Sequence, residues 1–206
     1  MTALAVRSFL TMLVVVDPVG LVPMFLVLSG NRPAIERRRI ARRAVMTAAG
    51  ILLAFALGGS WLLMSLGISL GAFQVAGGML LVWIAVRMVF AEYHRETAEE
   101  AAEARNRPDI SVFPLAIPII SGPGSMASIL ILMGEARDTW QGVLTVLAAT
   151  SIVLVSCYGA LLLSEPLARV LGQTGINVVT RVLGVLLAAL AVQYVADGAL
   201  ILLAAR

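Results

Sequence analysis

Polar and apolar positions alternate along this chain on a long scale. Apolar stretches run near residues 3–30, 44–66, 71–89, 110–133, 142–163 and 178–204, with short polar or charged joints between them. Each is close to the ~20 residues with which a helix crosses the ~30 Å hydrocarbon core of a bilayer. The pattern predicts an all-α membrane protein of six transmembrane helices. Two of the six are interrupted: Asp17-Pro18-Val19-Gly20-Leu21-Val22-Pro23 falls inside the first, and Ser121-Gly122-Pro123-Gly124-Ser125 inside the fourth. The helical pieces flanking the breaks reach ~20 and ~12 Å in the first stretch and ~16 Å each in the fourth, so both breaks fall near mid-membrane. Each is either a mid-span unwinding or the tip of a re-entrant hairpin.

A charged segment, residues 92–109, divides the chain into residues 1–91 and 110–206 and reads as a solvated cytoplasmic linker. Sliding one half over the other at an offset of 105 places Pro18 on Pro123 and Gly67 on Gly172. With one insertion, Gly78 falls on Gly184, Ala85 on Ala191 and Val89 on Val195. Three spans per half is an odd number, so the second half enters the membrane from the opposite side, giving two inverted three-helix repeats. Gly50, Ala54 and Gly58, like Ser156, Ala160 and Ser164, recur every four residues and predict close helix packing.

Composition places the chain in lipid: 60% of residues are hydrophobic and 13% charged, against about 25% charged in soluble domains. The first stretch lacks a clustered basic start and a cleavage site and is expected to be a retained span. Twelve of the fifteen arginines fall in the loops after spans one, three and five; only Arg7, Arg137 and Arg206 fall on the other face. The positive-inside rule puts the arginine-rich loops in the cytoplasm and both termini outside. All fifteen basic residues are arginine, a bias of genomic base composition that implies no nucleic-acid partner. Cys157 stands alone in an apolar run and His94 is the only histidine, which removes support for a disulfide, a metal cluster or histidine catalysis. No cofactor is expected.

Proline removes a backbone donor and glycine permits unusual conformations, so the breaks release N–H and C=O groups from the helical ladder. Pro18 or Pro23, and Pro123, suit the first turn of a new half-helix, and Ser121 is placed as an N-cap. With inverted repeats the two new N-termini point toward each other, and their dipoles favour an anionic group. Asp17 is the sharpest single residue, since a carboxylate within a membrane is a functional hypothesis by default. It holds a substrate ammonium, carries a coupling proton, or caps the half-helix at Pro18. A carboxylate beside two helix N-termini complements a zwitterion, and α-amino acids fit. Other polar positions within spans are Gln74, Thr180, Gln193, Tyr194 and Asp197; Gln74 and Thr180 occupy matching repeat positions. Arg87 and Arg181 are read as snorkelling to the interface.

These residues resemble the MarC family of bacterial inner-membrane proteins, which includes SnatA-type neutral amino acid transporters. The resemblance covers essentially the whole chain and rests on Asp17-Pro18 with Gly20 and Pro23, the stretch 71–88, Pro114-Leu115-Ala116-Ile117-Pro118 running into 121–125, and the stretch 181–193. It implies a six-span inner-membrane transporter for small neutral amino acids such as glycine and alanine, with both termini outside. The expected site is Asp17, Pro18, Gly20, Pro23, Gln74, Ser121, Gly122, Pro123, Gly124, Ser125 and Thr180. Expected partners are a small zwitterionic amino acid, the lipid bilayer and a coupling H+ or Na+. The chain has no phosphate loop, no G-x-S-x-G elbow and no metal constellation, so an ATP-driven pump within this chain and an intramembrane hydrolase lose support. The remaining alternatives are a non-transporting membrane protein whose breaks are kinks, and a flippase or exporter of lipid or another small molecule.

Overall fold

The computed structural model describes residues 2–30, 32–90, 109–136 and 138–204. The charged linker lies outside the described residues except for Asp109, as do His94, Arg95, Arg105, Arg107, Arg137 and Arg206. Eight helical elements follow one another among the described residues: α1 (Thr2–Val16), α2 (Leu21–Ser29), α3 (Ala34–Ser65), α4 (Leu70–Val89), α5 (Ser111–Ile120), α6 (Pro123–Ala136), α7 (Trp140–Leu162) and α8 (Ser164–Ala204). No strand occurs among them. α3, α4, α7 and α8 are each long and apolar enough to cross a membrane; the pairs α1–α2 and α5–α6 qualify as bent units, at 42° and 54°. The described residues therefore hold four to six candidate spans. Only 22–33% of the best apolar window of each long helix is buried within the chain, and Trp61, Trp83, Val155 and Leu200 point outward. Apolar faces of this size are stable against lipid and not against water.

Local chemistry fixes the element ends. Gly30 closes α2 with φ 50°, its N–H bonding Leu26 O, as a helix C-terminus with a left-handed glycine does. Ser69 and Thr139 cap α4 and α7 by accepting from Ala72 and Gly142 N–H at 3.2 and 3.1 Å. Gly67 precedes α4 and Gly172 bends α8; these two, paired at the offset of 105, both have left-handed φ, 70° and 61°. α5 is a wide, π-type turn rather than the regular half-helix expected, with extended backbone at Phe113 and Ile117. Pro114 and Pro118 follow those residues, and a residue before proline is pushed out of the α region. The second apolar stretch is longer than expected, since α3 begins at Ala34 and carries Arg37, Arg38, Arg39, Arg42 and Arg43 on its first three turns.

Glycines on α4, α6 and α8 let three helices meet. α4 runs antiparallel to α8, with Gly71 against Gly198 and Ile201, Gly78 against Ala191 and Val195, and Gly184 against Ala85 and Met88. It also runs antiparallel to α6, with Gly134 against Leu70, Gly77 against Ala127 and Ile131, and Gly124 against Leu81 and Ile84. Here backbones approach because no Cβ intervenes. The stripe Gly50, Ala54 and Gly58 does not do this: all three are exposed, and nothing lies within 4 Å of a Cβ built on either glycine. Periodicity of small residues marks a smooth face but not which face meets a neighbour. In the second stripe Ser156 is exposed and Ala160 half-buried, while Ser164 is fully buried and accepts from Arg37. Cys157 is fully buried in the apolar core, the packing role expected of it.

Ion pairs sit at both ends of the bundle. At the arginine-rich end, Arg32 pairs with Glu36 (2.8 Å), Arg37 with Glu165, and Arg43 with Asp109 (3.3 Å). Asp109 also accepts from the Ser111 hydroxyl and N–H, and these bonds, the hydroxyl first, hold its carboxyl below the ordinary value. At the other end Arg7 reaches Glu135 (3.1 Å) and Asp197 (3.7 Å), with its guanidinium 5.6 Å from the Tyr194 ring centroid.

Candidate functional site

The chain between α1 and α2 turns at Asp17, whose φ of 45° is the one left-handed non-glycine backbone among the described residues. Aspartate tolerates this region better than most residues because its short polar side chain bonds locally. Asp17 Oδ1 accepts from Gly20 N–H at 3.0 Å, and Asp17 O accepts from Leu21 N–H at 3.2 Å. The capping contact foreseen for Asp17 is therefore made, three residues on. It occupies only one of the two carboxylate oxygens.

The other, Oδ2, is buried without a hydrogen-bond partner among the described residues. Thr180 Oγ1 on α8 lies near it without closing a hydrogen bond and is itself unpartnered. A Cβ placed on Gly20 would stand 2.2 Å from Oδ2 and 3.2 Å from Thr180 Oγ1, so both groups crowd the bare α-carbon of Gly20. Asp17 is 6% exposed and Thr180 2%, and no arginine pairs with Asp17 among the described residues. A buried carboxylate with one bond and no counter-ion is costly unless a cation or proton supplies the balance.

The second break lies against the first. A Cβ on Gly124 would meet Val15 of α1 at 3.4 Å, as well as Leu81 and Ile84 of α4. Ser121 is not an N-cap, because its hydroxyl donates backward to Ala116 O at 2.8 Å. Ser125 likewise donates to Ile120 O at 2.8 Å. Ala116 O already accepts from the Ser121 N–H at 2.9 Å, so the hydroxyl is a second donor to that carbonyl, and the Ser125 hydroxyl serves the last carbonyl of α5. The first N–H bond of α6 runs from Met126 to Gly122 O, so the Gly124 and Ser125 N–H groups precede the helical ladder. Gly122 is required by its own loop: a Cβ there would be 2.2 Å from Pro118 O. Pro18 is buried, Pro23 stands in the first turn of α2 as expected, and Pro123 opens α6 with an exposed ring.

Gln74 does not join this group. It is buried where α4 meets Gly198, toward the far end of α8, and Gly198 is eighteen positions, ~27 Å of helix, from Thr180. Matching positions in two halves need not be neighbours in space. Around the level of Gln74 stand buried polar groups that sequence reasoning passed over: Ser8 and Thr11 on α1, and Ser128 on α6, unpartnered like Gln74 Oε1 among the described residues. Tyr194 OH lies near Thr11 without closing a hydrogen bond. Ser8 and Thr11, three apart on one helical face beside Arg7, were the available signal.

The MarC family profile, described as that of MarC family integral membrane proteins, matches residues 2–203. The chain belongs to the MarC family. It is 39% identical over 197 residues to the UPF0056 membrane protein MJ1677 of Methanocaldococcus jannaschii, covering 94% of each chain. It is 38% identical to a UPF0056 membrane protein of Aquifex aeolicus, over 95% of this chain and 92% of that one. To the UPF0056 membrane protein YhcE of Escherichia coli it is 32% identical, over 93% and 90%. No solved structure matches. As a MarC protein the chain is a multi-pass integral membrane protein, in keeping with its outward apolar faces.

Proposed function

We propose that this MarC protein is a secondary transporter of small neutral amino acids, glycine- or alanine-like, coupled to H+ or Na+ or working as an exporter. It is built as two inverted three-helix repeats, residues 1–91 and 110–206, crossing a bacterial inner membrane six times with both termini outside. The left-handed glycines Gly67 and Gly172, at matching positions, support the repeat. Arg37, Arg38, Arg39, Arg42 and Arg43 gathered at one end of α3 support the cytoplasmic assignment of that end.

The observation that carries the reading is Asp17. Its carboxylate stands at a helix bend, tied to Gly20 by one oxygen and leaving the other beside Thr180 without a hydrogen-bond partner or an arginine among the described residues. That free oxygen is the group a substrate ammonium or a coupling proton would meet. The start of α6, with Gly124 and Ser125 N–H ahead of its ladder, offers donors to a carboxylate nearby. Unwound backbone in a membrane, where it lines a path, is the usual seat of such a site. The unpartnered polar groups Ser8, Thr11 and Gln74 supply polar lining toward the Arg7 end. No enzymatic reaction is proposed.

A second reading draws on Ser121 and Ser125, whose hydroxyls satisfy the carbonyls of their own break. It makes the breaks structural kinks in a membrane protein that transports nothing, or in one that moves lipid or another small molecule. Uptake of labelled alanine into vesicles containing the purified chain, against vesicles without it, separates the readings. Uptake above the blank supports amino acid transport; equal uptake in both favours the second.

A further inference from the structure

We propose that the groove between α3 and α7 binds an anionic phospholipid, with an acyl chain along its apolar floor and the phosphate on Arg42 and Arg38. The groove holds a cavity of about 300 Å³ lined by Arg42, Met46 and Ala49 of α3 and by Ser151, Val155 and Tyr158 of α7. Its floor is apolar, since the Ser151 hydroxyl is spent on Leu147 O of its own helix. From Arg42 to Ala49 the floor is ~10 Å long, about the outer third of a ~30 Å hydrocarbon core.

Charge singles out this groove. Six arginines lie on or just before α3, and Arg32, Arg37 and Arg43 are paired with Glu36, Glu165 and Asp109. Arg38, Arg39 and Arg42 have no acidic partner among the described residues. Arg38 and Arg42 are four apart, so they lie on one stripe of α3, which Met46 and Ala49 continue into the groove. Arg38 also lines the next cavity along the same seam, about 150 Å³, with Leu161, Leu162 and the Arg37–Glu165 pair, in which the carboxylate is already neutralised by Arg37. Two guanidinium forks above an apolar slot match a phosphate carrying an acyl chain. Tyr158 beside Arg42 is the amphipathic ring favoured at headgroup depth. Basic pockets between helices on the anionic leaflet are where such lipids bind.

The test is native mass spectrometry of the full chain in detergent, with phosphatidylglycerol and phosphatidylcholine supplied in equal amounts. Wild type retains phosphatidylglycerol over phosphatidylcholine by about fivefold or more, and the Arg38→Gln/Arg42→Gln double variant brings that ratio near one. Ser151→Phe, a change at an exposed position, fills the slot and lowers phosphatidylglycerol retention with the arginines intact. Arg43→Gln, turned about 100° around α3 from Arg42 and paired with Asp109, leaves retention as in wild type. No preference in wild type overturns the proposal, and so does an equal loss in Arg43→Gln, which means diffuse charge attraction. Full retention by Ser151→Phe, or a dimer that excludes lipid from this face, also overturns it.

Discussion

Gly20→Ala tests the geometry around Asp17 with one methyl group. A Cβ there would lie 2.2 Å from Asp17 Oδ2 and 2.8 Å from Cγ, well inside contact distance, whereas its 3.2 Å approach to Thr180 Oγ1 is only tight. The carboxylate must therefore swing away and give up the 3.0 Å bond from Gly20 N–H. A buried hydrogen bond to a charged group is worth about 1.5–3 kcal/mol, so the variant should lose about 2 kcal/mol of stability, roughly thirtyfold in the ratio of folded to unfolded protein. Other costs of a new methyl group would blur that figure, and a double-mutant cycle removes them. In an Asp17→Gly background the carboxylate is gone and the left-handed backbone is relaxed, so Gly20→Ala should cost almost nothing. Denaturant unfolding in detergent of the wild type, both single variants and the double gives the coupling, expected at about 2 kcal/mol. Costs that add to within about 0.5 kcal/mol would refute the reasoning, since residues not in contact behave additively.

Packing glycines and exposed glycines should respond oppositely. Gly198→Ala puts a Cβ 2.7 Å from Gly71 O and 2.9 Å from Val75 N, a backbone clash expected to cost about 1–3 kcal/mol in the same unfolding assay; Gly58→Ala, with nothing within 4 Å, should leave stability unchanged or raise it by about 0.5 kcal/mol. Orientation is checked with single cysteines in a Cys157→Ala background. Cysteines at Thr2 and Asp138 should react with a membrane-impermeant thiol reagent added to intact cells and one at Arg39 should not; the reverse labelling would invert the topology.

Much of this architecture is visible in the order of residues because lipid makes demands that sequence cannot hide. An apolar run of about twenty residues is a span almost by length alone, and Pro-Gly pairs inside it announce a break. The bends at Asp17 and at residues 121–122, and the left-handed Gly67 and Gly172, follow from those signals. Side-chain direction was not legible. Ser121 has the composition of an N-cap, yet its hydroxyl turns back to Ala116 O, the same carbonyl that its own N–H bonds. Gly50 and Gly58 have the spacing of a packing face, but the neighbours came to Gly71, Gly78 and Gly198. The approach of Thr180 to Asp17 joins residues 163 positions apart, and the separation of Gln74 from Thr180 depends on α4 and α8 running antiparallel. Both are properties of packing that no local pattern encodes.

The central claim is that the charge of Asp17, not its capping bond, is what the site uses. Asp17→Asn separates the two, because the asparagine side-chain oxygen still accepts from Gly20 N–H and asparagine ranks with aspartate as a cap. Alanine uptake into vesicles at equal protein per vesicle is the direct measurement. With the charge gone, a desolvated contact to an ammonium or proton is lost and uptake should fall by about tenfold or more. Uptake within about twofold of wild type would contradict the account, since it would leave Asp17 with nothing but the cap, which asparagine supplies as well.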